Sequence, residues 1–548
     1  MSSEAEPAKE EAFERTCEEL IARIIDGEID RNEVEAAKLT ICGKHSSPKV
    51  PTNAELLEYA PPSERNRAEA VLRRKPVRTA SGVSPVAIMT SPAMCPHGKC
   101  LYCPGGPASE FSSAQSYTGH EPAAARGKRH GYDPYEQVAH RLGQLREIGH
   151  PVDKVELILM GGTMTARSHD YQEWFVKRAL EAMNDFDPAA GAIDSTATSE
   201  SGFSYLADVI AENETGSVRN VGTTFETKPD WCGPEQIDRM LRLGGTKVEV
   251  GVQTTYDEIN RAMHRGHGVE ASRKANRRLR DAGFKVGFHM MPGQPGMDVS
   301  MCRTDFRRLF EDPAWRPDYL KIYPTLVVEG TRVYDMWHRG DFAPLTNDEA
   351  AELVAEVKSM LPEYVRLQRV QRDIPADYIE AGVWKSNLRQ LARERLHSMN
   401  ESCDCIRCRE VGIADGEPEA ISISVTTYEV AGGTEHFIQA HDPDADLLVG
   451  FCRLRFPGEP VRRELDEAAI VRELHVYGSE VGLAGDSNGD ETGWQHRGFG
   501  ERLMTRAEAM GQDAGYRKLA VISGIGARAY YRNKLGYHRD GPYMSKPL

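Results

Sequence analysis

The sequence predicts an α/β fold: a parallel sheet curling into a full or partial (β/α) barrel, followed by a separate α+β domain. Three observations predict it. Strand-like apolar runs alternate with amphipathic helical segments from about residue 84 to 370, a short cysteine-rich linker follows, and beyond it four strands precede a helix, a strand and a short helix. Strands alternating with helices specify a parallel sheet. A chain of 548 residues also exceeds what one hydrophobic core organises.

The elements run in order as follows. Residues 1–80 read as an N-terminal helical and basic region. Residues 10–38 are expected to be helical, with Phe13, Cys17, Leu20, Ile21 and Ile24 on one face. The stretch Arg65 to Arg78 carries six basic residues against one acidic one, which suits either a solvated helix face or an RNA-backbone contact. Residues 81–394 hold the barrel. Its expected strands are 154–160, 220–226, 247–253, 284–291 and 318–323, and its expected helices are 169–184, 203–214, 234–243, 270–282 and 298–311. Such folds place their chemistry at the carboxyl ends of the strands, where the turn Gly161, Gly162, Thr163 and the segment Met291-Pro292-Gly293 fall. Residues 395–415 form the linker. The last domain, 416–548, is expected to have strands at 421–430, 434–441, 447–456, 470–477 and 518–522 and helices at 498–514 and 526–534.

The formal charge of -15 argues against a protein that coats nucleic acid non-specifically, while leaving room for a local basic path. No apolar run approaches the length of a membrane span, and the opening residues are acidic and polar. A cytoplasmic protein without membrane association is therefore expected.

Six of the eleven cysteines fall in two tight clusters, which in a cytosolic chain points to metal before disulfides. Cys95, Cys100 and Cys103 supply three thiolates within nine residues. A structural zinc site wants four ligands, so that reading needs His97 or a distant residue to complete it. Three thiolates on a 4Fe-4S cluster instead leave one iron open, which S-adenosylmethionine (SAM) chelates in radical-SAM enzymes. The glycine turn 161–163 and the βα repetition favour the cluster. Cys403, Cys405 and Cys408 are too compact for a disulfide framework and read as a structural zinc clip between domains.

In the last domain, Gln495, Gly498 and Gly500 form a Q-x-x-G-x-G pattern opening a helix, the pyrophosphate-binding signature of GNAT acetyltransferases. Downstream, Tyr530 and Tyr531 form a pair. Tyrosines in pairs are usually core packing, but at that position of the fold a hydroxyl can protonate a departing coenzyme A thiolate.

With these motifs in view, the chain resembles the Elongator catalytic-subunit family in its archaeal form, over essentially its whole length. The resemblance is carried by KPVRTASGVSPVA, CPHGKCLYCPGGP, DKVELILMGGT, VEVGVQTTYDEI, HMMPGQPGMD, VQRDIP, CIRCREVG, ELHVYG, QHRGFG and the segment ending GYHRDGPYM. It implies a partial radical-SAM barrel followed by a GNAT domain, and 5-carboxymethylation of the tRNA wobble uridine with SAM and acetyl-CoA. It implies that Lys154 is tied to acetyl-CoA binding and that Glu473, Leu474, His475 and Val476 run beside that cofactor. Phe499, Gly500 and Glu501 match the pyrophosphate turn, Tyr531 the tyrosine at the thioester, and Lys75 and Arg78 part of the tRNA-binding surface. Homodimers or other Elongator-like subunits are the partners the resemblance suggests. Two places depart from the family pattern: Lys228 stands where arginine is expected, and the loop 479–494 is unusually acidic. The alternative reading is a GNAT protein lysine acetyltransferase with a structural iron–sulfur domain, using Glu473 or His475 as base.

Overall fold

Seven strands of the barrel alternate between an apolar face that seeks helices and a face that does not. They are β1 (Ser84–Met89), β2 (Lys154–Met160), β3 (Arg219–Thr227), β4 (Lys247–Gln253), β5 (Lys285–Met290), β6 (Tyr319–Ile322) and β7 (Arg366–Arg369). In the computed structural model, which describes residues 5–61, 63–73, 79, 82–194, 204–414, 416–477 and 498–548, each strand pairs in parallel with the next. Strands β1 and β7 do not pair with each other among the described residues, so the barrel is partial.

Helices cover its outside, and their starts follow from local chemistry. Asp133 caps Pro134–Glu147, Ser168 caps His169–Asn184, Asp298 caps Val299–Glu311, and Thr346 with Glu349 forms a capping box on Asn347–Ser359. Along β2 the outward Val155, Leu157 and Leu159 are fully buried under these helices, while the inward Lys154, Glu156, Ile158 and Met160 keep partial exposure. The lumen is therefore not filled by side chains, unlike the packed interior of a closed eight-stranded barrel.

The last domain is a mixed seven-stranded sheet. Strands β8 (Ser422–Val430), β9 (Gly433–Asp442), β10 (Leu447–Phe456) and β11 (Ala468–Val476) form an antiparallel meander. Strand β12 (Lys518–Val521) runs parallel to β11, and β13 (His538–Asp540) and β14 (Tyr543–Pro547) complete the edge. The β11–β12 pairing covers only Ala468 to Val471, so Arg472–Val476 part from their neighbour. Helix Phe499–Asp513 buries Phe499, Leu503, Met504 and Ala507 on one face.

The N-terminal helices make a small core of their own around Leu20, Ile21, Ile41 and Leu56. The single helix expected over 10–38 is two, Ala5–Ile25 and Val34–His45. Gly27, at φ 80°, ends the first in a conformation other residues avoid. Also beyond the sequence expectations are β1, whose uninterrupted apolar run after Pro85 is brief, and β7, β13 and β14, which are short or polar. Lys75, Arg78, Gln495 and the loop 479–494 lie outside the described residues. Among the described residues, no helix is long and apolar enough to cross a membrane.

The last domain caps the amino-terminal end of the barrel. A Cβ on Gly524 would collide with the Val221 carbonyl, and one on Gly526 with Arg219, so only glycine permits this approach. Tyr543 donates to the Ala282 carbonyl at 2.9 Å. Between the domains lies a buried ionic network. Asp318 bonds Arg472 at 2.8 Å and Arg280 at 3.1 Å, Glu435 bonds Arg472 at 2.8 Å and Arg455 at 3.1 Å, and Arg455 bonds Asp281 at 2.6 Å. Arg453 bonds Glu473 at 2.9 Å. Four arginines thus face four carboxylates, which keeps the buried charge balanced.

Candidate active site

A single cavity of about 860 Å³ runs through the barrel and touches both ends. At its carboxyl-terminal end lie Cys95, Cys100, Cys103, Gly162 and Thr163, and at its amino-terminal end Lys154, Glu473, Leu474, His475, Val476 and Tyr531. Glycines make the space. Gly222 and Gly251 line it, and a Cβ on Gly222 would lie 3.3 Å from Thr246 Oγ1 and one on Gly251 2.9 Å from Gln253 Nε2.

The three thiols at the upper end come from the loop after β1. Ser116 N–H donates to Cys103 Sγ at 3.0 Å, His97 Nε2 lies 3.2 Å from Cys100 Sγ, and the buried Arg265 lies 3.4 Å from Cys100 Sγ. Burial raises the Cys95 thiol and pushes Cys103 up to about 11. Burial, with the cations Lys228 and Arg265 nearby, brings His97 down to about 4. Lys228 also lines the cavity, with its ammonium 3.2 Å from Asp230. The glycine turn takes positive φ at Gly161 and Gly162, and a Cβ on Gly162 would sit 3.7 Å from Cys95 Sγ. The turn's third residue places Thr163 Oγ1 3.4 Å from Cys95 Sγ.

The two cysteine clusters differ in spread. The Sγ atoms of Cys403, Cys405 and Cys408 lie within 4.8 Å of one another, as ligands of one zinc ion must. Among the described residues Cys95, Cys100 and Cys103 form no such close set. That spread suits sulfurs bound to different irons of a cluster better than one shared ion. The linker holding the tight set stitches the domains: Ile406 N–H donates to Val365 O at 3.0 Å, and Val411 N–H to Leu448 O at 3.1 Å. Glu410 there pairs with Arg366 of β7, whose guanidinium also bonds Tyr477. Cys405 is held well below the usual thiol range by hydrogen bonds from Cys403 and Cys408.

Mid-lumen, Glu226, Glu249 and His289 also cluster within 4.8 Å, and Lys321 pairs with both carboxylates. Burial alone would raise Glu249; Lys321, His289 and Lys247 overcome it and hold the carboxyl well below its ordinary range. The lysine supplies the positive charge there. Below it, Lys247 pairs with Glu156 at 2.5 Å, and Tyr319 O–H donates to Glu473, which Arg453 also holds.

At the lower end the site residues divide. Leu474 and Val476 flank His475, whose buried Nε2 has no hydrogen-bond partner among the described residues and whose basicity burial lowers. Tyr531 is buried and lines the cavity, and burial holds its phenol well above the ordinary value, so it is a neutral proton donor. Tyr530 does not line the cavity; its hydroxyl sits where a Cβ on Gly500 would be, 2.7 Å away. Gly498 takes φ 75° and opens the helix that begins Phe499, Gly500, Glu501, with Phe499 buried in the core. Glu249, Lys321, Arg265 and Lys285 were absent from the sequence reading. Alternation along KVEVGVQ was the available signal: polar residues at every second position of a strand that is buried throughout.

Residues 13–80 match the ELP3 N-terminal domain, 90–309 the Radical SAM superfamily and 317–398 the Radical_SAM C-terminal domain. The tRNA uridine(34) acetyltransferase of Methanocaldococcus jannaschii is 45% identical over 544 residues, covering 96% of this chain and 97% of that one. Elongator complex protein 3 of Homo sapiens is 40% identical over 534 residues, covering 95% and 94%. Among solved structures, the archaeal Methanocaldococcus infernus Elp3 with an N-terminal deletion (1–46) superposes with a TM-score of 0.73 at 42% identity, covering 85% of this chain and all of that one.

Proposed function

This chain belongs to the family of the tRNA uridine(34) acetyltransferases and Elongator complex protein 3, and on that footing we propose that its cavity joins an acetyl group to the wobble uridine of tRNA as 5-carboxymethyluridine. It is a radical-SAM, tRNA-modifying acyltransferase. The observation that carries the finer reading is the continuity of the cavity from the Cys95 end to Tyr531. Two substrates held at opposite ends can meet inside it without crossing solvent.

The residues fit the groups they would hold. Cys95, Cys100 and Cys103 would ligate a 4Fe-4S cluster, and Gly161, Gly162 and Thr163 leave room for SAM beside it. When bound, that pair supplies a carbon-centred radical able to take hydrogen from an unactivated methyl group. The helix start at Gly498–Glu501, with Gln495 before it in sequence, would receive the coenzyme A pyrophosphate at the positive end of the helix dipole. The diverging end of β11, Glu473 to Val476, would run beside the acetyl-bearing arm, with Lys154 at the strand start across the cavity. Tyr531 is the acid for the departing thiolate. The uracil is splayed from the single-stranded anticodon loop into the lumen, where its carbon 5 becomes reachable. Lys75 and Arg78 would contact tRNA phosphates. Cys403, Cys405 and Cys408 would hold a structural zinc that ties β7 to β10.

A protein lysine acetyltransferase is disfavoured by Glu473. Burial would raise its carboxyl, but Arg453, Lys285 and His475 lower it, and Tyr319 donates to it, so it is a poor base. The test is anaerobic reconstitution with tRNA, SAM, acetyl-CoA and a reductant, followed by nucleoside mass spectrometry. Carboxymethyluridine at position 34 is expected only with all components present. Acetylated protein lysines formed independently of SAM, with unmodified tRNA, would overturn the reading.

A further inference from the structure

Three lysines ring the amino-terminal mouth of the barrel: Lys154, Lys247 and Lys285, the first residues of β2, β4 and β5. All three line the cavity. Lys247 is neutralised by Glu156 and Glu249, at 2.5 and 3.7 Å. Lys285 is its register partner on the next strand and points into the same space. Its backbone N–H donates to the Thr246 carbonyl, but among the described residues its ammonium has no ion pair or hydrogen bond. The charged groups it senses are Glu473, Lys247, Glu156 and Arg472, and both carboxylates are already engaged, Glu473 by Arg453 and Tyr319, Glu156 by Lys247 and Thr224. An ammonium in a cavity wall whose nearest carboxylates are held by other cations is only partly compensated, and a ligand anion offsets the remaining cost.

We propose that Lys285 is a carboxylate-binding subsite, which receives the carboxylate created when the thioester is hydrolysed. The inference rests on the coenzyme A reading of the lower cavity. In the hydrolysis a water oxygen bonds the carbonyl carbon and the carbon–sulfur bond breaks. The thiolate takes a proton from Tyr531, which regains one from the attacking water, and the new acid releases its proton to solvent. Nothing is oxidised or reduced in this step. An ammonium beside the carbonyl favours both the oxyanion that forms on attack and the carboxylate that remains. It thereby commits the product to the acid rather than the thioester.

The test uses two stable thioethers, carboxymethyl-CoA and ethyl-CoA, titrated calorimetrically into the full-length protein. Carboxymethyl-CoA is expected to bind about tenfold tighter, the scale of one charge-assisted contact. Lys285→Met should erase that preference while leaving ethyl-CoA affinity unchanged, and Lys285→Arg should retain it. Equal affinities in the wild-type protein, or a preference that survives in Lys285→Met, would overturn the subsite. Failure of wild-type protein to bind ethyl-CoA would instead sink the coenzyme A reading beneath it. Should Lys285→Met fold poorly, Lys285→Gln and the wild-type comparison decide the matter.

Discussion

At Gly161 the backbone takes φ 126°, and a Cβ there would collide with Thr90 Oγ1, in the loop that leads to the first cysteine. We expect Gly161→Ala to cost roughly 1–3 kcal/mol of stability. It should also lower iron incorporation on reconstitution, read by thermal melting and an iron assay. Unchanged iron content would show that the turn does not set the cysteine loop. At this scale the sequence was most informative, because cysteine spacing and glycine turns carry their chemistry locally. Pairs of neighbours were less legible. Tyr530 and Tyr531 look alike in a sequence, yet successive residues on a helix point about 100° apart, and only Tyr531 lines the cavity.

Strand β6 shows what tertiary context adds. Asp318, just before it, binds arginines from the helix Val269–Asp281 and from β10 and β11. Burial would raise Asp318 and Glu435, but Arg280 and Arg472, with Arg453 and Arg455 beside them, hold both carboxyls below their usual range. Asp281 moves the other way, because its burial outweighs Arg455. For the two lowered groups the unfolded chain binds more protons in acid. Their contribution is thus complete above the unfolded range, about pH 4, and is lost as pH falls through the lower folded values. We expect Asp318→Asn to destabilise the protein by roughly 3–5 kcal/mol, because it leaves buried guanidinium groups unpaired. The variant should also flatten the acid limb of the stability profile, measured by denaturant unfolding between pH 2 and 6. A variant with wild-type stability and the same acid limb would show the network to be idle. None of this was legible in the sequence. CRLRF and VREL show arginines in strands, but only the assembled domains reveal that each meets a carboxylate from the other side.

For the whole molecule, the order of elements was readable from the alternation of strands and helices. How the domains meet was not readable, because it depends on the small residues Gly524 and Gly526 against β3 and on a lumen hollowed by glycines. That docking turns two ligand ends into one chamber. Chemistry across this chamber requires that the methyl group at the lower end be attacked from the upper end. The most direct measurement supplies trideuteroacetyl-CoA with SAM and tRNA to the reconstituted protein and weighs the 5′-deoxyadenosine formed. The cavity predicts 5′-deoxyadenosine carrying one deuterium. A product free of deuterium, formed at the same rate as carboxymethyluridine, would contradict it.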